Sequence, residues 1–235
     1  MHISGLQKLT LLDYPGRVAC TVFLNGCNFA CPFCHNSHLL SPQSNAVLTA
    51  EELLSFLKRR KGILDGVCIS GGEPTIHPEL LELLGSIKAQ GYLIKLDTNG
   101  SHPEILRSAL DEGLVDYVAM DVKNSPAKYA QTVGLPAIDL SGIEESLGLL
   151  LNGTTEYELR TTVVSQFHSE ASILEMGRWV EKIGAGKRAA KWFIQPFADR
   201  ETVPVSGLFS PEQTVLESFL TLLAPYAEQL ALRGC

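Results

Sequence analysis

The chain has 235 residues, 45% of them hydrophobic, which is enough to bury the core of one large domain or two small ones. Its formal net charge of -7 at pH 7 argues against a nucleic-acid-binding protein. No apolar run reaches the length of a membrane span, and the first residues lack the apolar core of a signal peptide. We therefore expect a cytoplasmic protein with no nucleic-acid or membrane partner, folded as a single domain over residues 1–235.

Strands and helices are predicted to alternate along the chain after a short lead-in over residues 1–16. Strands are predicted at 18–24, 66–70, 92–96, 117–120, 157–164 and 191–195 from their apolar runs. Helices are predicted at about 49–60, 78–89, 103–112, 141–151, 170–183 and 211–231. Residues 124–139 carry no pattern that predicts an element. Six strand–helix repeats over about 17–200 indicate an α/β fold with a parallel sheet and too few units for a closed eightfold barrel.

Three cysteines follow the first of these strands with the spacing Cys27-x3-Cys31-x2-Cys34. Three thiolates on one loop can bind three irons of a cubane cluster and leave the fourth iron open to another ligand. Structural zinc is an alternative, although zinc sites normally have four ligands and no second cysteine pair follows. A disulfide is a further alternative, although three is an odd number. Cys20 and Cys68 lie in apolar runs and are predicted to be core residues; no role is predicted for Cys235.

The cysteine loop and four further stretches resemble one known family. The loop has Phe33 before its last cysteine and His35-Asn36 after it. The other stretches are Leu11-Leu-Asp-Tyr-Pro-Gly16, Ser70-Gly-Gly-Glu-Pro74, Leu96-Asp-Thr-Asn-Gly100 and Asp116-Tyr-Val-Ala-Met-Asp-Val-Lys123. Together they resemble the radical S-adenosylmethionine (SAM) superfamily and, within it, the activases of glycyl radical enzymes. The greatest similarity is to activating proteins of anaerobic ribonucleoside-triphosphate reductase.

The resemblance implies an open partial (β/α)6 barrel of the TIM type, with a [4Fe–4S] cluster and SAM as cofactors. Cys27, Cys31 and Cys34 would ligate the cluster. Phe33 and His35 would lie on the adenine side of SAM, although core packing for Phe33 and a solvated loop position for His35 are alternatives. No catalytic residue beyond the cofactor ligands is predicted.

Apart from Arg160, which lies within the strand predicted at 157–164, the remaining implied residues follow strands, and the carboxyl ends of parallel strands are where ligands bind in such folds. Gly71, Gly72 and Glu73 would supply acceptors for the amino group of SAM, although an ordinary turn is an alternative. Lys123 and Arg160 would contact its carboxylate. Asp97, Thr98 and Asp121 would hold a monovalent cation, with a salt-bridge network at the barrel rim among these three residues, Lys123 and Arg160 as the alternative.

The sequence thus predicts an activase that cleaves SAM to a 5′-deoxyadenosyl radical and generates a glycyl radical on a partner enzyme. Anaerobic ribonucleotide reductase is the favoured partner, and flavodoxin or ferredoxin would donate the electron. Two alternatives stay open. One is a radical SAM enzyme that acts on a small metabolite, as the 7-carboxy-7-deazaguanine synthases do. The other is a non-catalytic metal-binding module.

Overall fold

A computed structural model of the chain describes residues 3–40 and 46–234. The strands are β1 (Ile3–Thr10), β2 (Ala19–Leu24), β3 (Gly66–Gly71), β4 (Leu93–Thr98), β5 (Tyr117–Asp121), β6 (Glu156–Val163), β7 (Ala189–Pro196) and β8 (Ala227–Leu232). The helices are α1 (Ala50–Arg59), α2 (Leu80–Ala89), α3 (Pro103–Asp111), α4 (Pro126–Thr132), α5 (Ser141–Asn152), α6 (Glu170–Ile183) and α7 (Gln213–Leu223). Within these described ranges, no helix has the length and apolarity that a membrane crossing requires. Cys235 lies outside the described residues.

The strands follow one another in chain order in an open, mostly parallel sheet. β1 pairs antiparallel with β2, whereas β2 with β3, β3 with β4, β6 with β7 and β7 with β8 pair in parallel. The predicted α/β class and the six predicted strands are confirmed. β1 and β8 are additional strands, and they extend the order at its first and last positions.

Residue contacts divide the chain into two compact units. The first unit contains residues up to 28 together with 38–119, and the second contains 29–37 together with residues from 120 onward. Helices α1 to α3 belong to the first unit and α4 to α7 to the second. That the whole chain acts as a single domain stays a prediction.

The core of the first unit is built by alternate residues of its parallel strands. Val22 of β2, Ile69 of β3 and Leu96 of β4 are fully buried, as period-two alternation requires of one face of a sheet. Leu53 of α1 and Leu84 of α2 are equally buried. The opposite face of β3 and β4 carries the polar side chains of Ser70, Lys95 and Asp97.

The C-terminal helix predicted for about 211–231 is wrong in its second half. Helix α7 ends at Leu223, and a 3₁₀ turn over Ala224–Tyr226 leads into β8. Pro225 lies in that turn, and a proline has no N–H to continue a helix and disfavours helical geometry before it. Arg233, just after β8, forms a bidentate salt bridge with the buried Glu158 of β6. Its two terminal nitrogens lie 2.6 and 2.9 Å from the two carboxylate oxygens.

The segment 124–139, for which no element is predicted, contains α4. Pro126 occupies the first turn of this helix, where its missing N–H costs nothing. Tyr129 of α4 is fully buried and its ring packs edge-on against Trp179 of α6, with 5.9 Å between the ring centroids. One short helix of seven residues is thereby packed into the second unit.

Candidate functional site

The cysteine loop contributes to both units. Cys27 belongs to the first unit, and Cys31 and Cys34 belong to the second. None of these three described cysteines is in a disulfide; Cys31 is buried, and Cys27 and Cys34 are partly exposed. Within the described ranges, no three His, Cys, Asp or Glu side chains converge as they would around a single metal ion. An iron–sulfur cluster places each thiolate on a different iron, so its cysteines need not converge on one point.

Two glycines let the loop after β3 lie against the backbone that leads to Cys27. The Gly72 N–H donates to the Leu24 carbonyl at 2.9 Å, and the Glu73 N–H donates to the Gly26 carbonyl at 2.8 Å. A β-carbon on Gly72 would overlap the carbonyl oxygen of Gly26, and one on Gly71 would overlap the Leu24 backbone. Gly71 also has φ +127°, a value that side chains disfavour. The glycines are therefore required by close packing within the first unit.

Glu73 is buried and ties the exit loops of β3 and β4 together. Its Oε1 accepts hydrogen bonds from the backbone N–H of Thr75 at 3.0 Å, from the Thr75 hydroxyl at 2.6 Å and from the Thr98 hydroxyl at 2.7 Å. Its Oε2 accepts from the Asn99 N–H at 2.6 Å. Burial raises the pKa of the Glu73 carboxyl, although the bonds from Thr75, Asn99 and Thr98 act in the opposite direction. These contacts hold the Glu73 side chain between the two exit loops, and its contact with SAM stays a prediction.

Asp97, near the end of β4, is neutralised by a lysine on its own strand. Its Oδ1 forms a salt bridge with Lys95, whose side chain is only 2% exposed. Its Oδ2 accepts a hydrogen bond from the Ser70 hydroxyl at 3.0 Å. Thr98, next along the strand, donates to Glu73 and accepts from the Gly100 N–H at 3.0 Å. In the first unit, Asp97 therefore forms a salt bridge with a lysine that the network predicted from the sequence did not include.

Asp121, the last residue of β5, carries the corresponding network of the second unit. It accepts from Lys123 Nζ and from Arg160 Nε, each at 2.8 Å. Burial alone would raise the pKa of the Asp121 carboxyl, but Arg160 and Lys123 overcome burial and hold this pKa well below its usual range. The three side chains carry one net positive charge, so the group suits an anionic ligand. The structure thus brings together three of the predicted site residues.

Lys123 is fixed by its backbone and acts on Cys31 through its charge. The Lys123 carbonyl accepts a hydrogen bond from Nε2 of the buried His168 at 2.8 Å, and His168 Nδ1 accepts from the Val164 N–H at 3.1 Å. Burial lowers the pKa of His168, which keeps the ring neutral in this role. Burial raises the pKa of the Cys31 thiol, and the Lys123 ammonium counteracts part of that rise. Ligation of a metal would have to displace the thiol proton.

Phe33 and His35 both pack against aromatic rings of the second unit. Phe33 is 4% exposed, and its ring centroid lies 5.9 Å from that of Phe167. The His35 ring stacks on Phe197 with 5.8 Å between centroids, and its Nε2 donates to the Ala198 carbonyl at 2.7 Å. Burial lowers the pKa of His35. His35 is thus held by specific contacts.

A third close-packing glycine, Gly134, lies in the segment without a predicted element. It has φ +71°, and a β-carbon there would overlap the carbonyl oxygen of Ala30, the residue before Cys31. The neighbouring Val133 carbonyl accepts from the Ala30 N–H at 2.9 Å. The turn after α4 therefore holds the middle of the cysteine loop within the second unit.

Comparison with known proteins places this arrangement in a family. Residues 21–157 match the model of the radical SAM superfamily. The chain belongs to this superfamily. A Methanocaldococcus jannaschii protein, provisionally named a glycyl-radical enzyme activating enzyme, is 33% identical over 98% of this chain and 95% of its own length. This radical SAM protein thus belongs to the group of glycyl-radical enzyme activating enzymes.

Two further similarities are partial or concern the fold alone. The pyruvate formate-lyase-activating enzyme of Clostridium pasteurianum is 36% identical over 52% of this chain and 52% of its own length. The structure of Streptococcus suis SuiB bound to S-adenosylmethionine superposes with a TM-score of 0.67 at 13% identity. That superposition covers 92% of this radical SAM protein and 52% of SuiB.

The residues present fit the cofactors of the family, a [4Fe–4S] cluster and SAM. The donor set is three cysteine side chains within one short loop, none of them in a disulfide, and thiolates are the ligands that such clusters take. The positive charge at Lys123 and Arg160 suits the carboxylate of SAM. The residues implied as ligands of a monovalent cation fit that ion less well. Lys95 already neutralises the Asp97 carboxylate, and Lys123 and Arg160 already neutralise the Asp121 carboxylate.

The sequence reading of this radical SAM protein missed Lys95, Gly134 and His168. Lys95 could have been found, since it lies two residues before Asp97 and alternate strand residues share a face. Gly134 and His168 carried no such signal, because Ala30, which lies against Gly134, and Lys123, which His168 bonds, are far away in the sequence. Cys20 and Cys68 are fully buried core residues, as predicted, and burial raises the pKa of the Cys20 thiol to about 12.

Proposed function

We propose that this protein generates a glycyl radical on anaerobic ribonucleoside-triphosphate reductase. One observation carries the proposal, namely the similarity to a glycyl-radical enzyme activating enzyme along nearly the whole of both chains. The partner is favoured by two runs that resemble activating proteins of this reductase, 11–16 and 116–123. Flavodoxin or ferredoxin would supply the electron, and the cytoplasm is the compartment we predict.

Cys27, Cys31 and Cys34 are the proposed ligands of the cluster. The bound cluster would supply the electron for cleavage of the sulfonium C–S bond of SAM, and SAM would supply the 5′-deoxyadenosyl group for hydrogen abstraction from the partner's glycine. Gly134 holds the loop at Ala30, and Gly72 supports it at Gly26. The protein's task at this point is to keep the three thiols at a fixed spacing.

The other predicted site residues would bind and orient SAM. Lys123 and Arg160, held by Asp121, would contact its carboxylate. The backbone carbonyls of Gly71 and Gly72 and the Glu73 carboxylate would accept from its amino group, and the exit loops already hold this carboxylate with four hydrogen bonds. Phe33 and His35 stay the predicted residues on the adenine side.

Electron spin resonance tests this proposal. The reconstituted protein is incubated without oxygen with SAM, a reductant and purified anaerobic ribonucleotide reductase. The expected result is a doublet signal from a glycyl radical on the reductase. A parallel sample contains pyruvate formate-lyase instead, and a variant with Cys34→Ala serves as the inactive control.

Each outcome decides between named alternatives. A signal on pyruvate formate-lyase alone would keep the activase function and replace the partner. Turnover of a free small molecule, with no radical on either enzyme, would favour the metabolite-enzyme alternative. Zinc instead of iron in the purified protein, with no SAM cleavage, would favour the non-catalytic module.

A further inference from the structure

Lys95 is a lysine inside the sheet of the first unit, on the same face as the site residues. It faces Cys68 in the parallel register of β3 and β4, and its Nζ lies 3.9 Å from the Cys68 sulfur. Its side chain is 2% exposed and forms a salt bridge with Asp97. A buried ammonium is stable only with a compensating charge, so Lys95 and Asp97 form one ion pair.

The pair changes what Asp97 can bind. A carboxylate attracts a potassium or sodium ion because of its uncompensated negative charge. Lys95 and Asp97 have no net charge between them, and a second cation at Asp97 would lie beside the lysine ammonium. An ammonium group also has nearly the size and the charge of a potassium ion. The lysine ammonium therefore places beside the Asp97 carboxylate a positive charge of about the size that a potassium ion would place there.

Thr98 and Asp121, the other two residues implied as cation ligands, also bond side chains of the protein itself. Thr98 donates its hydroxyl proton to Glu73. Asp121 already lies between the two cations Lys123 and Arg160. Neither residue presents the uncompensated negative charge that would select a monovalent metal ion.

We propose that the Lys95 ammonium takes the place of a monovalent cation, so that SAM binding in this protein requires neither potassium nor sodium. The proposal rests on the proposed function insofar as SAM is the ligand. Lys95 acts as a positioning residue, since it holds and neutralises Asp97 and is itself buried. Asp97, supported also by Ser70, then keeps one orientation without an external ion.

The first test measures the affinity of the reconstituted protein for labelled SAM by equilibrium dialysis. The buffers hold ionic strength constant with tetramethylammonium and add lithium, sodium or potassium. We expect the wild-type affinity to be the same in every buffer. In Lys95→Met, which keeps the side-chain length and removes the charge, the affinity should fall about tenfold and recover in potassium but not in lithium.

Lys88→Met is the matched control. Lys88 forms a salt bridge of 2.6 Å with Asp116 in the same unit, but both side chains are partly exposed, at 26% and 30%. This variant should bind SAM as the wild type does, with no dependence on the cation. A purely structural effect of Lys95→Met would not be restored according to the size of the ion.

The second test needs no SAM. The melting temperature of the protein without SAM is measured in potassium and in tetramethylammonium at equal ionic strength. The wild type should melt at the same temperature in both, and Lys95→Met should be stabilised by potassium. If Lys95→Met does not fold, the wild-type measurements alone decide.

A wild-type SAM affinity or melting temperature that rises with potassium to saturation would overturn the proposal. So would a Lys95→Met variant that binds SAM as the wild type does in tetramethylammonium. If the wild type binds no SAM in any buffer, the proposed function fails instead, and the melting experiment still tests Lys95.

Discussion

The two units place a lysine and an aspartate on their strands in opposite order. In the first unit, Lys95 precedes Asp97 by two residues and lies within β4, where it is 2% exposed. In the second, Lys123 follows Asp121 by two residues, beyond the end of β5, and is 16% exposed. Ligands in parallel α/β folds bind outside the carboxyl ends of the strands. The order of the two residues thus decides whether the lysine serves the core or can reach a ligand.

The charge of the two networks differs accordingly. Lys95 and Asp97 balance each other, whereas Asp121 shares its one negative charge with Lys123 and Arg160. Only the second network has a positive excess, which is what a carboxylate ligand requires. We therefore expect substitutions at Lys123 or Arg160 to lower SAM affinity through loss of a direct contact, and Lys95→Met to lower it through the orientation of Asp97.

The largest effect is expected at the cysteine loop, which both units share. Alanine at Cys27, Cys31 or Cys34 should each abolish the cluster and SAM cleavage, because a site with three thiolates has no spare ligand. Iron and sulfide analysis after anaerobic reconstitution measures this. Cys20→Ala, in the buried part of β2, should keep about four irons per chain. An iron content of about four in Cys31→Ala would refute the ligand assignment.

The next largest effect is expected at the glycines that support the loop in each unit. Gly72→Ala and Gly134→Ala should each lower the free energy of unfolding by about 3 kcal/mol, because the new methyl group overlaps a backbone carbonyl. Gly134→Ala also places a side chain at φ +71°. Urea denaturation of the reconstituted protein measures both.

Gly85→Ala is the control for the glycine variants. Gly85 lies within α2, and a β-carbon there meets nothing within 4 Å. Alanine favours a helix interior by about 1 kcal/mol over glycine, so this variant should be more stable than the wild type. If Gly72→Ala unfolds at the same urea concentration as the wild type, the loop after β3 does not lie against Gly26.

The main elements could be predicted because their signals are local. The strands from β2 to β7 are apolar runs bounded by turn residues, and α6 begins and ends at the predicted residues, after Ser169 and before Gly184. The predicted last helix is wrong after Leu223. Its apolar pattern continues past Pro225, although a proline disfavours continuation of the helix. Propensity for a strand at Ala227–Leu232 is weak there, and pairing with β7 decides the outcome.

The candidate site could be predicted in its residues more than in their contacts. The sequence places Glu73, Asp97 and Asp121 at strand exits, which the structure confirms. It does not show that Glu73 bonds Thr98 and Asn99, because hydrogen bonds between residues about 25 apart leave no pattern in a single sequence. Such contacts depend on the neighbouring strand, so they become visible only in the fold.

A smaller effect is expected from Asp121→Asn, and its pH dependence has a definite sign. Loss of the carboxylate leaves Lys123 and Arg160 facing each other, which should cost about 2 kcal/mol of unfolding free energy at pH 7. Because the folded-state pKa of Asp121 lies below its ordinary value of 3.8, its stabilisation is complete above that pH and is lost as pH falls toward the folded-state pKa.

The difference between wild type and Asp121→Asn should therefore be constant from about pH 7 to pH 5 and shrink below about pH 4. Denaturation curves at several pH values measure it. A difference that stays constant as the pH falls well below about 4 would show that the contacts of Asp121 do not depend on its charge.

The smallest effect is expected at two helix N-caps, one in each unit. Thr49 accepts from the Glu52 N–H at 3.2 Å at the start of α1, and Ser169 accepts from the Ser172 N–H at 3.3 Å at the start of α6. Alanine at either position should lower the free energy of unfolding by about 1 kcal/mol. Neither residue belongs to the proposed site, so SAM affinity should not change. A parallel fall in SAM affinity would mean that stability alone controls binding, and the losses expected at Lys123 and Arg160 could then not be assigned to contact with SAM.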